Sequence, residues 1–365
     1  MRITQNMTAS NALYNIQQGR AKLDRLQELT ASGANINRPS DDPIGTRLLL
    51  DVGDQLKAGD QYASSIARST TSLQMTSTAL QGMSDTIHQA TQLAASIVNG
   101  STDPTVTQSV LSQLKALKQT MVDMGNVQSG DQYVFGGANS QVAPFRLGDL
   151  TSGTNTVSNV NIAGLSAGMP VSGAGIPAGT QIGTVTAGPP GSFTLVDSSG
   201  VAAVNATATA SASSIYVGNE TALNVQIGQS TTQQMNVPGN QVLTADTATS
   251  QPYGSVNILK AFDDMITAVQ ANNVPNIQAV SQQLEAGADQ IRNAQSDVAS
   301  RLVRLNNSST MNTNIQNTLQ GIVGDTQNVD YAKLGVELTQ QQTAFQASLS
   351  ATAKITQMSL LDYLK

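Results

Sequence analysis

Two long segments of the chain place apolar or small residues at alternating spacings of three and four. Such spacing keeps one helix face on a partner helix, which is the condition for a coiled coil. At about 1.5 Å per residue, roughly 50 residues predict a helix that is far longer than an ordinary globular helix. We call the line of residues that would face the partner helix a seam. The first seam is Leu48, Val52, Gln55, Gly59, Tyr62, Ile66, Ser69, Leu73, Thr76, Leu80, Met83, Ile87, Ala90, Ala94, Ile97. The second is Ile277, Val280, Leu284, Gly287, Ile291, Ala294, Val298, Arg301, Leu305, Ser308, Asn312, Ile315, Leu319, Ile322.

Both ends of the chain carry a further amphipathic stripe. The first predicted helix covers residues 1–33 and ends at Gly33, and the last covers about 329–361. Because a lone amphipathic helix cannot bury its apolar face, these two helices are expected to pack on each other and on neighbouring subunits. The first stripe is Ile3, Met7, Leu13, Ile16, Leu23, Leu26, Leu29, and the last is Leu334, Leu338, Gln341, Phe345, Ser348, Thr352, Ile355, Ser359.

Turn and capping residues mark where the remaining helices begin. Residues 35–45 contain two prolines and two aspartates, which predicts a structured turn with Asp42 capping a helix that opens at Pro43 and runs to about Val98. Asp103 caps a third helix that opens at Pro104. A further helix runs from about 256 to 270 and breaks at residues 272–275, before the second seam helix.

Between residues 146 and 255 charge nearly vanishes, and Gly, Thr, Ser, Val and Ala dominate. This composition predicts one all-β insert or two smaller ones. The expected strands cover residues 156–162, 181–186, 192–196, 214–217, 223–227 and 234–237.

The fold class is therefore mainly α with a β insert. A long antiparallel coiled coil or bundle is built from both termini, and an all-β domain is inserted at the hairpin turn. Residues 1–42 and 326–365 form the predicted terminal helical pair, expected to be disordered in the free monomer. Residues 43–145 and 256–325 form the long bundle. Residues 146–255 form an outward β-rich domain, of which 150–215 is an extra insert.

Composition excludes several classes of function. The net charge of −6 and the scattered basic residues argue against a nucleic-acid partner. No apolar run is long enough to span a membrane, and the first residues do not resemble a cleaved signal peptide. These features predict a cytosolic protein or, as the alternative, one that is exported without cleavage of a signal. The absence of cysteine suits a protein that must stay free of disulfides while unfolded for export.

Candidate catalytic and metal-binding residues are sparse. His88 is the single histidine, so a Ser-His-Asp or Cys-His arrangement has no other imidazole to use. Gly173, Gly175 and Gly179 have the wrong spacing for a dinucleotide loop, and Asp41 and Asp42 lack a third carboxylate at coordinating spacing. Turn formation and helix capping explain these residues, and no enzyme, cofactor or metal is expected.

Several stretches resemble the flagellin-like proteins, and among them the proteins of the junction between flagellar hook and filament. They are Asn37-Arg-Pro-Ser-Asp-Asp-Pro43, Tyr133-Val-Phe-Gly-Gly137 with Pro144-Phe145, Met235-Asn-Val-Pro-Gly239, and Ile355-Thr-Gln-Met-Ser-Leu-Leu-Asp-Tyr-Leu364. The resemblance covers about residues 1–145 and 220–365. Residues 150–215 lie outside it, and within them the stretch Gly168–Gly179 is similar to a turn-rich motif of bacterial surface and phage β modules.

The resemblance implies a secreted structural adaptor of the bacterial flagellum, exported by the type III route and assembled as a ring. Its implied partners are hook-associated protein 1 on the hook side, flagellin on the filament side, further copies of itself, and an export chaperone. Neither nucleic acid nor membrane insertion is implied. The assembly residues expected on this basis and from the terminal stripes are Ile3, Met7, Leu13, Arg38, Pro39, Asp41, Asp42, Phe345, Ile355, Leu360, Leu361 and Tyr363.

Two other functions remain as alternatives. A flagellin subunit would have the same fold, but the Arg38-Pro39 turn and the Ser359–Tyr363 ending favour the junction adaptor. A surface adhesin or phage-fibre protein is suggested by residues 150–215 alone and leaves the paired terminal seams unexplained.

Overall fold

A computed structural model describes residues 5–98, 103–151, 153–173, 176–177, 179–203, 213–245 and 251–363. The chain divides into two compact units. One contains the residues up to 61 together with those from 312 onward, and the other contains residues 62–311. Each unit is described separately below.

The described residues form six α-helices: α1 (Gln5–Ser32), α2 (Pro43–Val98), α3 (Pro104–Gly125), α4 (Ile258–Gln270), α5 (Val274–Gln327) and α6 (Tyr331–Tyr363). Their ends agree with the predicted signals. Gly33, at φ +69°, follows α1, and the Asp103 side chain accepts a hydrogen bond from the Thr105 backbone N–H at the start of α3. Helix α5 starts slightly earlier than predicted, because Pro275 is tolerated in a first turn.

The unit of residues 62–311, called the central unit below, is built on the two predicted seams. In α2 every predicted seam position from Ile66 to Ile97 is buried, and in α5 every one from Ile277 to Val298 is buried. Gln295 Nε2 of α5 donates to Gln81 Oε1 of α2 across 2.9 Å, and residues 63–74 of α2 line one groove with residues 302–309 of α5, so the two helices are antiparallel. The predicted helix pairing is confirmed in this unit, because the alternation of three and four places one continuous face of each helix in the core.

Helices α3 and α4 complete the helical core of this unit. Leu114 and Met121 of α3 and Phe262 and Met265 of α4 are fully buried in one cluster with the seam residues. Between the two helices, the Lys118 ammonium lies 2.6 Å from the Asp263 carboxylate. Burial raises the pKa of Asp263, while the Lys118 charge acts in the opposite direction.

A six-stranded antiparallel sheet follows α3. Its order is β5-β8-β3-β4-β7-β6, with β3 (Phe145–Leu150), β4 (Thr156–Val160), β5 (Ser172–Gly173), β6 (Gln181–Thr186), β7 (Gly191–Val196) and β8 (Ser213–Tyr216). A separate apolar cluster fills its buried face: Leu150, Val157, Val160, Val171, Ile182, Phe193, Leu195, Ile215, Val217. The fold class predicted from the sequence, mainly α with a β insert, is confirmed.

Two hairpins accompany this sheet, and some strand boundaries differ from the prediction. They are β1 (Gln128–Ser129) with β2 (Gln132–Tyr133), and β9 (Asn224–Gly228) with β10 (Thr231–Gln234). The prediction of a strand at residues 234–237 was wrong, because β10 ends at Gln234 and Pro238 leads into a 3₁₀ turn at Gly239–Gln241. Val237 is fully buried beside this turn. Strand β3 was not predicted as a strand, because its sequence Phe-Arg-Leu-Gly-Asp-Leu has no simple apolar alternation.

Arg146 on β3 is a buried cation with no carboxylate partner among the described residues. Its guanidinium donates to the carbonyl oxygens of Asn161 and Ala163. Burial lowers the pKa of Arg146. The side chain therefore ties the segment after β4 to β3 by hydrogen bonds to the backbone.

Candidate functional site

The turn between α1 and α2 is organised by its two aspartates. Asp41 Oδ2 accepts backbone N–H bonds from Asn37 and Arg38 at 3.3 and 3.1 Å, and Asp41 Oδ1 lies 3.3 Å from Arg25 Nη1. Asp42 Oδ1 accepts from the backbone N–H groups of Ile44 and Gly45, both at 3.0 Å. The predicted capping of α2 by Asp42 is confirmed, and Asp41 folds the turn.

Arg38 and Pro39 of the same turn are exposed to solvent. Arg38 Nη2 lies 3.1 Å from Glu28 Oε1 of α1, with both side chains largely exposed. Such surface ion pairs contribute little to stability. Arg38 and Pro39 are thus free to contact another molecule, and their predicted assembly role stays a prediction.

The turn after α1 is joined by backbone hydrogen bonds to the turn before α6. The Asn35 N–H donates to the Gln327 carbonyl at 2.6 Å, and the Val329 N–H donates to the Gly33 carbonyl at 3.2 Å. Asp330 then caps α6 by accepting from the backbone N–H groups of Ala332 and Lys333. Helix α1 therefore ends, and helix α6 begins, at one hydrogen-bonded junction, and the two helices run alongside each other.

Helices α1 and α6 are antiparallel and approach closely at Gly19. Gln341 Nε2 donates to the Gly19 carbonyl oxygen at 3.1 Å, and a Cβ atom on Gly19 would lie 3.2 Å from Phe345 Cδ2. Leu26 and Leu334 are both 6% exposed. Phe345, predicted as an assembly residue, thus packs within its own chain at this position.

The same two helices leave other large apolar side chains uncovered. Leu13 and Tyr14 of α1 are each 60% exposed, and Val336 and Leu349 of α6 are 67% and 44% exposed. Exposed apolar side chains on this scale are typical of surfaces that pack on another protein. Leu13, which the predicted stripe included, is therefore left largely uncovered by α6.

Several predicted assembly residues lie outside what the structure describes. Ile3 precedes the described residues. Met7 lies in α1, and Ile355, Leu360, Leu361 and Tyr363 lie in α6, at positions whose side chains are not described. The expected contact between the two outermost helix ends stays a prediction.

The sequence reasoning did not single out Gly19, Asp330 or Tyr331. The Tyr331 hydroxyl lies against Gly33, where a Cβ atom would be 2.5 Å from it. Asp330, an N-cap residue type placed directly before the last apolar stripe, was the one available signal. Gly19 contacts Phe345 and Tyr331 contacts Gly33, and each pair is some 300 positions apart in the sequence. No local sequence pattern could have predicted these contacts.

The described residues offer little for catalysis or metal binding. Within them, no group of three or more His, Cys, Asp or Glu side chains could hold a metal ion. His88 is exposed on α2. None of the described helices is long and apolar enough to cross a membrane.

Comparison with known proteins agrees with the resemblance seen in the sequence. Residues 3–140 match the family model of the bacterial flagellin N-terminal helical region. A stretch of 146 residues is 23% identical to flagellar hook-associated protein 3 of Salmonella typhimurium, covering 40% of this chain and 46% of that protein. The chain thus aligns with about half the length of that relative. The resemblance to flagellin-like proteins is confirmed for the N-terminal region.

Solved structures extend the likeness to the fold. A chain described as a flagellar hook-associated protein from Vibrio parahaemolyticus superimposes with a TM-score of 0.54 at 17% identity, covering 79% of this chain and 100% of that chain. Bacillus cereus FlgL gives a TM-score of 0.47 at 15% identity, covering 74% of this chain and 97% of that chain. The Vibrio structure supports the same fold for most of the chain.

Proposed function

We propose that this chain is a non-enzymatic structural adaptor of the bacterial flagellum that joins the hook side to the flagellin filament. The Salmonella relative and the Vibrio structure are named as hook-associated proteins, and they are similar to this chain over 40% and 79% of its length. The motifs at the two chain ends point to the same group. The proposed location is extracellular, at the hook–filament junction, after type III export.

One observation carries this proposal. Helix α1 ends and helix α6 begins at one hydrogen-bonded junction, and the pair still leaves Leu13, Tyr14, Val336 and Leu349 largely exposed. Burying apolar area is the main driving force of protein association, so these helices are suited to pack on other subunits. A structural assembly protein needs such surfaces, whereas an enzyme needs convergent polar groups in a pocket.

The proposed assembly is a ring of copies of this chain. Hook-associated protein 1 would lie on the hook side and flagellin on the filament side, with an export chaperone bound before secretion. The outermost helix ends, with Leu360, Leu361 and Tyr363 near Ile3 and Met7, would complete the antiparallel contact between α1 and α6. Arg38, Pro39, Asp41 and Asp42 would present the turn to a neighbouring subunit.

Flagellin is the second candidate function. The family model that matches residues 3–140 describes the flagellin N-terminal region, so this match favours a filament subunit as much as an adaptor. The two functions differ in copy number and position, since flagellin forms the length of the filament.

A deletion strain tests the proposal. Electron microscopy of cells that lack this chain should show hooks without filaments, and flagellin monomers should accumulate in the medium. Expression of the chain from a plasmid should restore filaments. Loss of filaments without flagellin in the medium would favour the flagellin function, and normal filaments would refute both.

A further inference from the structure

One face of the first two turns of α2 exposes large apolar side chains to solvent. Ile44 and Leu48 are 84% and 43% exposed. Arg47 and Asp51 are exposed beside them, and the spacing i, i+3, i+4, i+7 places all four side chains on one helix face. Among the described residues, neither Arg47 nor Asp51 takes part in an ion pair. We name these four residues the α2 face.

The central unit contains a groove that also combines apolar side chains with one cation and one anion. It has a volume of about 800 Å³ and lies between residues 65–72 of α2, the β1–β2 hairpin and the β9–β10 hairpin. Tyr133, Leu223, Val225 and Met235 give it an apolar lining, and Arg68 and Asp131 also line it. In the part of the chain that the structure describes, Arg68 and Asp131 have no ion-pair partner. We name it the hairpin groove.

We propose that the α2 face of one copy binds the hairpin groove of a second copy. Ile44 and Leu48 would enter the apolar lining, Asp51 would pair with Arg68, and Arg47 would pair with Asp131. This inference rests on the proposed ring and identifies the surfaces that join its copies. An amphipathic helix in a groove is a recurrent mode of recognition that uses this spacing of anchors.

Charge supports a second copy as the occupant. The α2 face carries one cation and one anion around two apolar residues, and the hairpin groove carries one anion and one cation around its apolar lining. Complementary charges fix the orientation and exclude wrong partners. Because the two surfaces differ, the contact is heterologous, and repetition of such a contact closes a ring or continues as a helix.

Cysteine cross-linking tests the contact directly, because the native chain contains no cysteine. Leu48→Cys and Val225→Cys are made on separate, differently tagged chains and expressed together in the deletion strain. Hook–filament preparations are oxidised and separated without reductant. A disulfide-linked pair carrying both tags is expected. Leu50→Cys is the matched control, since Leu50 is 66% exposed but lies two residues away on another face of α2.

Four results would overturn the inference. The first is a cross-link no stronger than that of the Leu50→Cys control, and the second is a Leu48→Cys product that joins two chains with the same tag. The third is a product with flagellin or another protein, and the fourth is absence of the chain from the preparations. Filament formation that needs the chain, without the expected cross-link, refutes this contact alone. Normal filaments in the deletion strain refute the proposed function as well.

A charge exchange gives an independent readout. Asp51→Arg and Arg68→Asp should each lower the number of filaments per cell several-fold, and the double variant should restore most of the loss. Equal loss in the double variant, with each protein stable and exported, would contradict the predicted ion pair.

Discussion

Lys118 is a charged residue that the fold buries. Its side chain is 5% exposed, and its partner Asp263 is 27% exposed. Moving both charges out of water is costly, and their mutual attraction in the less polar interior offsets only part of this cost. The pair therefore specifies how α3 meets α4, and either partner alone would be destabilising.

This pair leads to a stability prediction. Lys118→Met should lower the free energy of unfolding by about 3 kcal/mol, because Asp263 is left as a partly buried charge without its partner. The Lys118→Met, Asp263→Leu double variant should recover most of that loss. Urea unfolding followed by circular dichroism measures both variants. A single variant as stable as the native chain would show that the pair contributes nothing.

Local signals at single residues could be predicted from the sequence, whereas long-range contacts could not. Gly33, Asp42 and Asp103 end or begin helices because of the conformation and hydrogen bonding of their own neighbourhood. Lys118 gives no such signal, because its partner lies 145 residues away in sequence. Its burial follows from the packing of α3 on α4.

At the scale of elements, the contact between α1 and α6 depends on the small residue at its centre. Gly19→Leu should displace Phe345, because a Cβ atom already lies within 3.2 Å of that ring. The number of filaments per cell should fall, while Ala21→Leu, on an exposed position of the same helix, should have little effect. Normal filament numbers with Gly19→Leu would show that this close approach is not needed in the assembly.

The terminal helices are expected to be disordered in the free monomer. Their exposed apolar residues and polar-rich stripes give them little stability before neighbouring subunits cover them. Limited proteolysis of the purified monomer should remove roughly the first 35 and last 30 residues first, as is usual for exposed ends. Ends that resist protease as well as residues 50–140 do would contradict this expectation.

Helices were easier to predict than strands for a physical reason. The seams of α2 and α5 repeat over many turns, so each added turn reinforces the same period. The described strands are only two to six residues long, so each offers few positions for a repeating pattern. Strand β3 is stabilised by pairing with β4 and β8, which follow later in the chain. Of the expected assembly residues, the structure explains Asp41, Asp42 and Phe345 by contacts within the chain.

At the scale of the whole molecule, the β insert has its own apolar core and should be replaceable. The structure refines where it can be cut, because β3 and β8 pair with each other and Phe145 and Tyr216 belong to the helical core. A Gly/Ser linker should therefore replace residues 151–212 and leave that strand pair intact. The variant is expected to be stable and exported and to support normal filament numbers, since long surface insertions have small thermodynamic effects.

Export without filaments in that variant would assign the insert to the junction contact. Its thermal unfolding, compared with that of the native chain, separates such an assembly defect from a folding defect.

The two proposed functions differ in position, because a junction adaptor would lie between hook and filament whereas a flagellin would form the filament. Immunogold labelling of isolated hook–filament structures, with an antibody raised against residues 151–212, tests this difference most directly. If the chain is the junction adaptor, gold particles are expected only at the boundary between hook and filament. Labelling along the whole filament would identify a flagellin, and absence of label from the flagellum would contradict the proposed function.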